Sequence, residues 1–244
     1  MKYFIFFILF PIHIYSQRGE NVSIQAVYKV QSASNEKKII NDSCLLSTSP
    51  TYSYFYSLGK IKAAQDAEKE FLTTNAINGN YNCTNCFPFI FYKSYSENKI
   101  YRIEQLMGEL FAYNPPTGVN VSWVLQNDTL KINDILCLKA IGKCDSTVYT
   151  VYYAPNIPVS DGPSILQGLP GLILKSESST GLKIELLSLN YMNGEKLENK
   201  LNNNFQFTTY SQFQIAKKQF LDDLKSGNPV QLSNGITIQR KSDN

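Results

Sequence analysis

The chain has 244 residues, with 23 Lys and Arg against 20 Asp and Glu, a net charge of +3. So balanced a charge supplies no clustered basic face and argues against nucleic acid as a partner. The lone histidine is His13, inside a leader expected to be removed. The mature chain then has no Ser-His-Asp or Cys-His machinery and no His-built zinc site, so no cofactor or metal is expected.

Residues 1–16 read as a secretory signal peptide: one Lys, an apolar run from Tyr3 to Ile12, then small Ser16. The run is broken by Pro11 and is too short to cross a bilayer. Cleavage after Ser16 leaves an exported chain, in the periplasm or at the cell surface, that does not span the membrane. The expected layout is one β-rich domain over 17–235, including a C-terminal helix at about 209–226, and a polar tail over 236–244.

"VSIQAVYKV" alternates, placing Val22, Ile24, Ala26, Tyr28 and Val30 on one face of a half-buried strand. Two short strands follow about Pro50. Gly59 to Leu72 is rich in helix formers and lines up Ile61, Ala64, Ala67, Phe71 and Leu72. The β pattern resumes at "FPFIFYKSY" and "NKIYRIEQ", breaks at Gly108, and ends before "NPPTG", where two prolines cannot donate to a ladder. "VNVSWVLQ" and "INDILCLKA" are two strands separated by "NDT". "STVYTVYYAP" reads as a strand covered on both faces. "LILKSE" and "LKIELLSLN" form a hairpin about "SSTG"; the phase switch from Leu186 to Leu187 implies a bulge there. In the C-terminal helix Phe213, Ala216, Phe220, Leu221 and Leu224 share a face, Thr209 or Ser211 caps the start, and Gly227 with Asn228-Pro229 ends it.

Five cysteines occur at Cys44, Cys83, Cys86, Cys137 and Cys144. The C-x-x-C pair Cys83 and Cys86 admits a redox centre, half of a thiolate metal site, or a local disulfide. The local disulfide fits an exported chain, since neither a βαβ setting nor a matching second pair is present. An odd count leaves one thiol over.

"QGLPGLILK" holds Gly168 and Gly171 about Leu169 and Pro170, followed by Leu172 and Ile173. A phosphate cradle needs more glycines, or a Lys and Ser/Thr opening a helix. Pro170-Gly171 instead suits a type II turn that aims a strand. Upstream, Pro155, Pro158 and Pro163 stiffen a crossing that contains the turn pair Asp161-Gly162.

The stretch "YYAPNIPVSDGPSILQGLPGLILK", with Trp123 and the Ile135, Cys137, Lys139, Ala140 pattern upstream, resembles the GLPGLI family, exported proteins of the Bacteroidetes. Where that family often carries an aromatic residue after "GP", this chain has Ser164. The family is similar to the bowl-like accessory N-terminal domain of some F-type peptide-N-glycosidases. The resemblance implies a single curved antiparallel sheet, a bowl or half-barrel with an open concave face, and two α-helices packed on it. It also places a hairpin tip near Cys144-Asp145-Ser146, and it implies no catalytic residues. The functional expectation is a non-enzymatic envelope protein that binds an apolar or glycan-like ligand or an envelope protein partner. The alternatives are a carboxylate-dependent hydrolase of glycans or glycoproteins, with Asp161 its best candidate, and a redox protein using Cys83 and Cys86.

Overall fold

The computed structural model describes residues 23–32, 39–74, 83–106, 109–116, 120–192, 205–226, 230–231 and 237–238. The leader, the break at Gly108, the helix stop at 227–229 and the last residues, 239–244, lie outside them. The architecture is mainly β. One sheet holds β1 (Ser23–Gln31), β2 (Asn41–Thr48), β3 (Tyr52–Ser57), β4 (Ile90–Ser94), β5 (Lys99–Leu106), β6 (Glu109–Tyr113), β7 (Ser122–Ile132), β8 (Ile135–Cys144), β9 (Thr147–Ala154), β10 (Leu172–Ser178), β11 (Lys183–Met192) and β12 (Phe205–Phe207). Two helices, α1 (Leu58–Thr74) and α2 (Tyr210–Lys225), accompany it. Inside the expected polar tail, Thr237–Ile238 pairs with Val230–Gln231 as a separate two-stranded ribbon.

The strand order is β12-β6-β5-β4-β3-β2-β1-β11-β10-β9-β8-β7. Every pairing is antiparallel except the short edge strand β12, which runs parallel to β6. The first strand therefore sits in the middle, where it joins two meanders. The chain itself requires the sheet to curl. From β6 to β7 there are ten strand spacings, about 48 Å if the sheet were flat. The link from Tyr113 to Ser122 reaches about 32 Å at full extension.

β1 keeps the expected alternation, with Ile24, Ala26, Tyr28 and Val30 buried. They join Leu46, Phe55, Phe91, Leu172, Leu174, Ile184 and Leu186 in the main core. The bulge lies where the phase switch put it: Val27 pairs with Ser188 and Tyr28 with Leu186, leaving Leu187 over and exposed.

Two expectations need correction. "NDT" does not separate two strands, because β7 runs through it with an irregularity between Leu125 and Thr129. The reversal comes at Asn133-Asp134, both with positive φ, as a two-residue hairpin turn of the primed type demands. The stripe on α1 is not a buried one. Leu58 and Ile61 pack on the Tyr54, Tyr56 and Tyr101 cluster, but no residue of the helix is buried and Phe71 and Leu72 are 49% and 74% exposed. The helix residues packed on that cluster, Leu58 and Ile61, both belong to its first turn.

The second helix docks better. Phe213 is buried against Leu106 and Tyr113, with Ala216 and Phe220 beside it. Leu221, expected on the same stripe, is exposed. Thr209 Oγ1 accepts from the Gln212 amide at 3.2 Å and Gln212 Oε1 accepts from the Thr209 amide at 3.3 Å, a reciprocal cap. Lys217 on α2 donates to Glu104 of β5 at 2.8 Å, and Tyr113 donates to the same carboxylate.

Candidate functional site

The segment from Pro155 to Gly171 is a folded crossing rather than a surface loop. Ile157, Leu166 and Leu169 are buried, the first in the main core and the others in a second cluster with Ala140, Val151, Tyr153 and Ile173. The crossing therefore contributes side chains to two core clusters. Pro155, Pro158 and Pro170 lie at the surface, whereas Gly162, Pro163, Gly171, Leu172 and Ile173 are buried. Trp123 Nε1 donates to the Gln167 carbonyl at 2.8 Å, tying the crossing to β7 next to exposed Gly168.

The Pro170-Gly171 corner does steer backbone into β10, but not as a type II turn. Gly171 N donates to Leu169 O at 2.8 Å, closing a tighter turn about Pro170, and Leu172 N is taken instead by Ile157 O at 3.1 Å. Gly171 has φ +151, and a Cβ there would lie 2.2 Å from the Ala154 carbonyl oxygen. Contact with the end of β9 thus sets the corner, and only glycine fits it.

Asp161 is the polar centre of the crossing. It and Lys93 of β4 are each 1% exposed, and they meet at 2.5 Å, Nζ to Oδ1. Lys93 also donates to the carbonyls of Gly162, at 2.6 Å, and Leu166, at 3.0 Å. Three acceptors match the three donors of an ammonium. Burial pulls the Lys93 pKa below its ordinary value while Asp161 opposes that; the complete acceptor set favours the charged pair. Asp161 Oδ1 accepts from Gly162 N at 2.7 Å and Oδ2 from Tyr95 Oη at 2.7 Å. Burial, then the Asp161 charge, push the Tyr95 phenol well up. β4 and β10 are five spacings apart in the sheet, about 24 Å if flat, so this contact exists only because the sheet curls. With both oxygens occupied and no exposed surface, Asp161 has no open face for a substrate. Its hydrogen bonds pin the crossing to β4 and to the Tyr95 phenol.

Three residues on, the environment changes. Ser164 has φ +58, a strained conformation for a residue with a Cβ. It lines a cleft of about 360 Å³ with Ile165, Leu182 and the tip of the β8–β9 hairpin at Asp145-Ser146. The hairpin tip is where the resemblance placed it. Phe87, Phe89, Phe91, Arg102, Pro115 and Tyr149 also line the cleft. The guanidinium of Arg102 lies 3.8 Å from the Phe89 ring centroid, a cation–π contact. Its Nε is buried and finds no hydrogen-bond acceptor among the described residues. The size and the aromatic lining are those of a small-ligand site.

Cys83 and Cys86 form a disulfide. It seats on Gly59 at the start of α1, where a Cβ would come 2.5 Å from Cys86 Sγ. Asp42 joins this corner by accepting from Phe87 N at 2.8 Å. The remaining three cysteines, not one, are free and buried. Burial pushes the Cys137 thiol up to about 11, and burial and then Asp42 push Cys44 higher still, which makes both poor nucleophiles. No group of His, Cys, Asp and Glu that could hold a metal occurs among the described residues. No helix among them is long and apolar enough to cross a membrane.

A family described as a protein of unknown function (Porph_ging) matches residues 142–175. The match covers the end of β8, all of β9, the crossing and the start of β10, which is the stretch that carries the GLPGLI resemblance. No curated protein matches the chain. Two solved structures of PNGF-II, in space groups P21 and C2, are similar to it with TM-scores of 0.54 and sequence identities of 15% and 16%. Each similarity covers 80% of this chain but only 33% or 32% of the PNGF-II chain. This chain thus matches about a third of that protein, and at such identity the likeness concerns the fold.

Proposed function

We propose that this chain is an exported, non-enzymatic binding module of the cell envelope that takes a small ligand with an apolar or glycan-like body in the Phe89–Arg102 cleft. The observation that carries the reading is the contrast along the crossing: the Asp161 end is dry and fully paired, while the Ser164 end lines a cleft together with aromatic rings and Arg102. Aromatic side chains combine large apolar faces with fixed geometry and suit both acyl chains and sugar rings. The N-terminal leader pattern and the Cys83–Cys86 disulfide support export.

The test uses the neutral dye N-phenyl-1-naphthylamine with protein recovered from periplasmic expression, together with native mass spectrometry of the same material. Dye fluorescence should rise with wild type and not with Ser164→Trp, whose indole occupies the cleft; matched circular dichroism and melting show that both are folded. A co-purified adduct should likewise disappear in the variant. Wild type that binds neither dye nor adduct leaves the envelope protein partner as the remaining role.

A further inference from the structure

Given that cleft as the binding site, we infer that its ligand is a singly charged organic acid: an apolar body with one carboxylate, held at Arg102. Arg102 is the one basic group lining the cleft among the described residues. Its face is used by Phe89 at 3.8 Å, with Phe91 at 5.9 Å from its ring centroid. Stacking of this kind leaves the N–H edge to donate in the plane of the guanidinium, which is the geometry that recognises carboxylates.

Nε of that edge is buried and has no acceptor among the described residues. A buried donor left unmade is unfavourable, so an arriving acceptor is favoured beyond its apolar contacts. The nearby carboxylate does not serve Nε. Glu104, two residues along β5, is engaged by Tyr113 and by Lys217. Among the described residues the one acidic group lining the cleft is Asp145, exposed at the hairpin tip, and it disfavours a second negative charge on the ligand. The body of the ligand meets Phe89, Ile165 and Leu182, all partly exposed, a lining that rewards buried apolar area.

The experiment compares decanoate with 1-decanol as displacers of N-phenyl-1-naphthylamine at pH 7.5, in wild type, Arg102→Gln and Arg102→Lys. Wild type should release the dye to decanoate at a concentration at least tenfold below that for decanol. Arg102→Gln should make the two equal, while Arg102→Lys, which keeps the charge, should keep part of the preference. Equal displacement in wild type, or a preference that survives in Arg102→Gln, overturns the acid assignment and leaves the cleft reading standing. Failure of wild type to bind the dye at all overturns both.

Discussion

Asp161 and Ser164 lie three residues apart on one crossing and obey opposite rules. At Asp161 every polar atom is paired: Lys93, Tyr95 and the Gly162 amide surround it in a dry interior. At Ser164 the backbone is held in a left-handed conformation beside a cleft lined by Arg102, whose Nε has no acceptor among the described residues. A saturated polar group fixes structure, because breaking it strands charge away from water. An unsaturated one with local strain is where binding free energy remains to be gained. The difference therefore separates the part of the motif that holds the fold from the part that faces the cleft.

The sharpest way to break this comparison is to remove one partner of the ion pair. Asp161→Asn or Lys93→Met should destabilise the protein by about 3–5 kcal/mol, since each leaves a buried group uncompensated. The double substitution Lys93→Met with Asp161→Leu should regain much of that, as read by urea unfolding. If Asp161→Asn melts like wild type, the pinning role fails. Next comes Gly171→Ala, which drives a methyl into the Ala154 carbonyl and should cost about 2–3 kcal/mol.

A titration tests the α2 tie. Burial raises the Glu104 pKa, but donation from Lys217 and Tyr113 and the positive charges around it outweigh that and hold it below its ordinary 4.5. A carboxyl depressed in the folded state contributes stability above its unfolded pKa and loses it as pH falls through the folded one. Docking of α2, followed by Tyr210 fluorescence or amide exchange, should therefore loosen on acidification below about 4.5, and Glu104→Gln should flatten that step. A smaller effect is expected at Ser164→Gly, which relieves the left-handed backbone and should raise stability by about 0.5–1 kcal/mol. The smallest belongs to α1: Phe71→Glu or Leu72→Glu should stay within about 0.5 kcal/mol of wild type, because neither side chain has left water.

Much of the sheet was legible because side-chain alternation is local. Ile24, Ala26, Tyr28 and Val30 announce a half-buried strand, and the Leu186–Leu187 phase switch announces a bulge. The turn at Asn133-Asp134 was masked by the more polar Asn127-Asp128-Thr129. An edge strand tolerates that triplet as an irregularity, since its outer side carries no ladder. The α1 stripe misled because helical spacing shows which residues could be buried together, not whether a partner surface reaches them. The hexapeptide marked the crossing, and its Pro-Gly corner was expected to steer backbone, as it does.

The two side chains that decide the site were not legible. Lys93 shares the face of Phe91 on β4, and a lysine in apolar register was the available signal. Yet "FYKSY" looks the same whether Lys93 meets solvent or an aspartate brought there by sheet curvature. Arg102 in "IYRIEQ" is likewise indistinguishable from a solvated charge until the residue before β4, Phe89, comes beneath it. Contacts 68 residues apart in sequence, such as Lys93 with Asp161, depend on the curl of the whole sheet and leave no local trace.

The central seam has a consequence for how the molecule assembles. β1 pairs with β11, from Ser23 with Met192 to Gln31 with Lys183, so a newly made first strand has one long side unmatched until about four-fifths of the polypeptide exists. So high a sequence separation is characteristic of slow folders. An emerging chain would offer that bare strand to its neighbours for aggregation in the meantime. Delivery across a membrane before folding begins, under the care of a holding chaperone, would suit such an architecture.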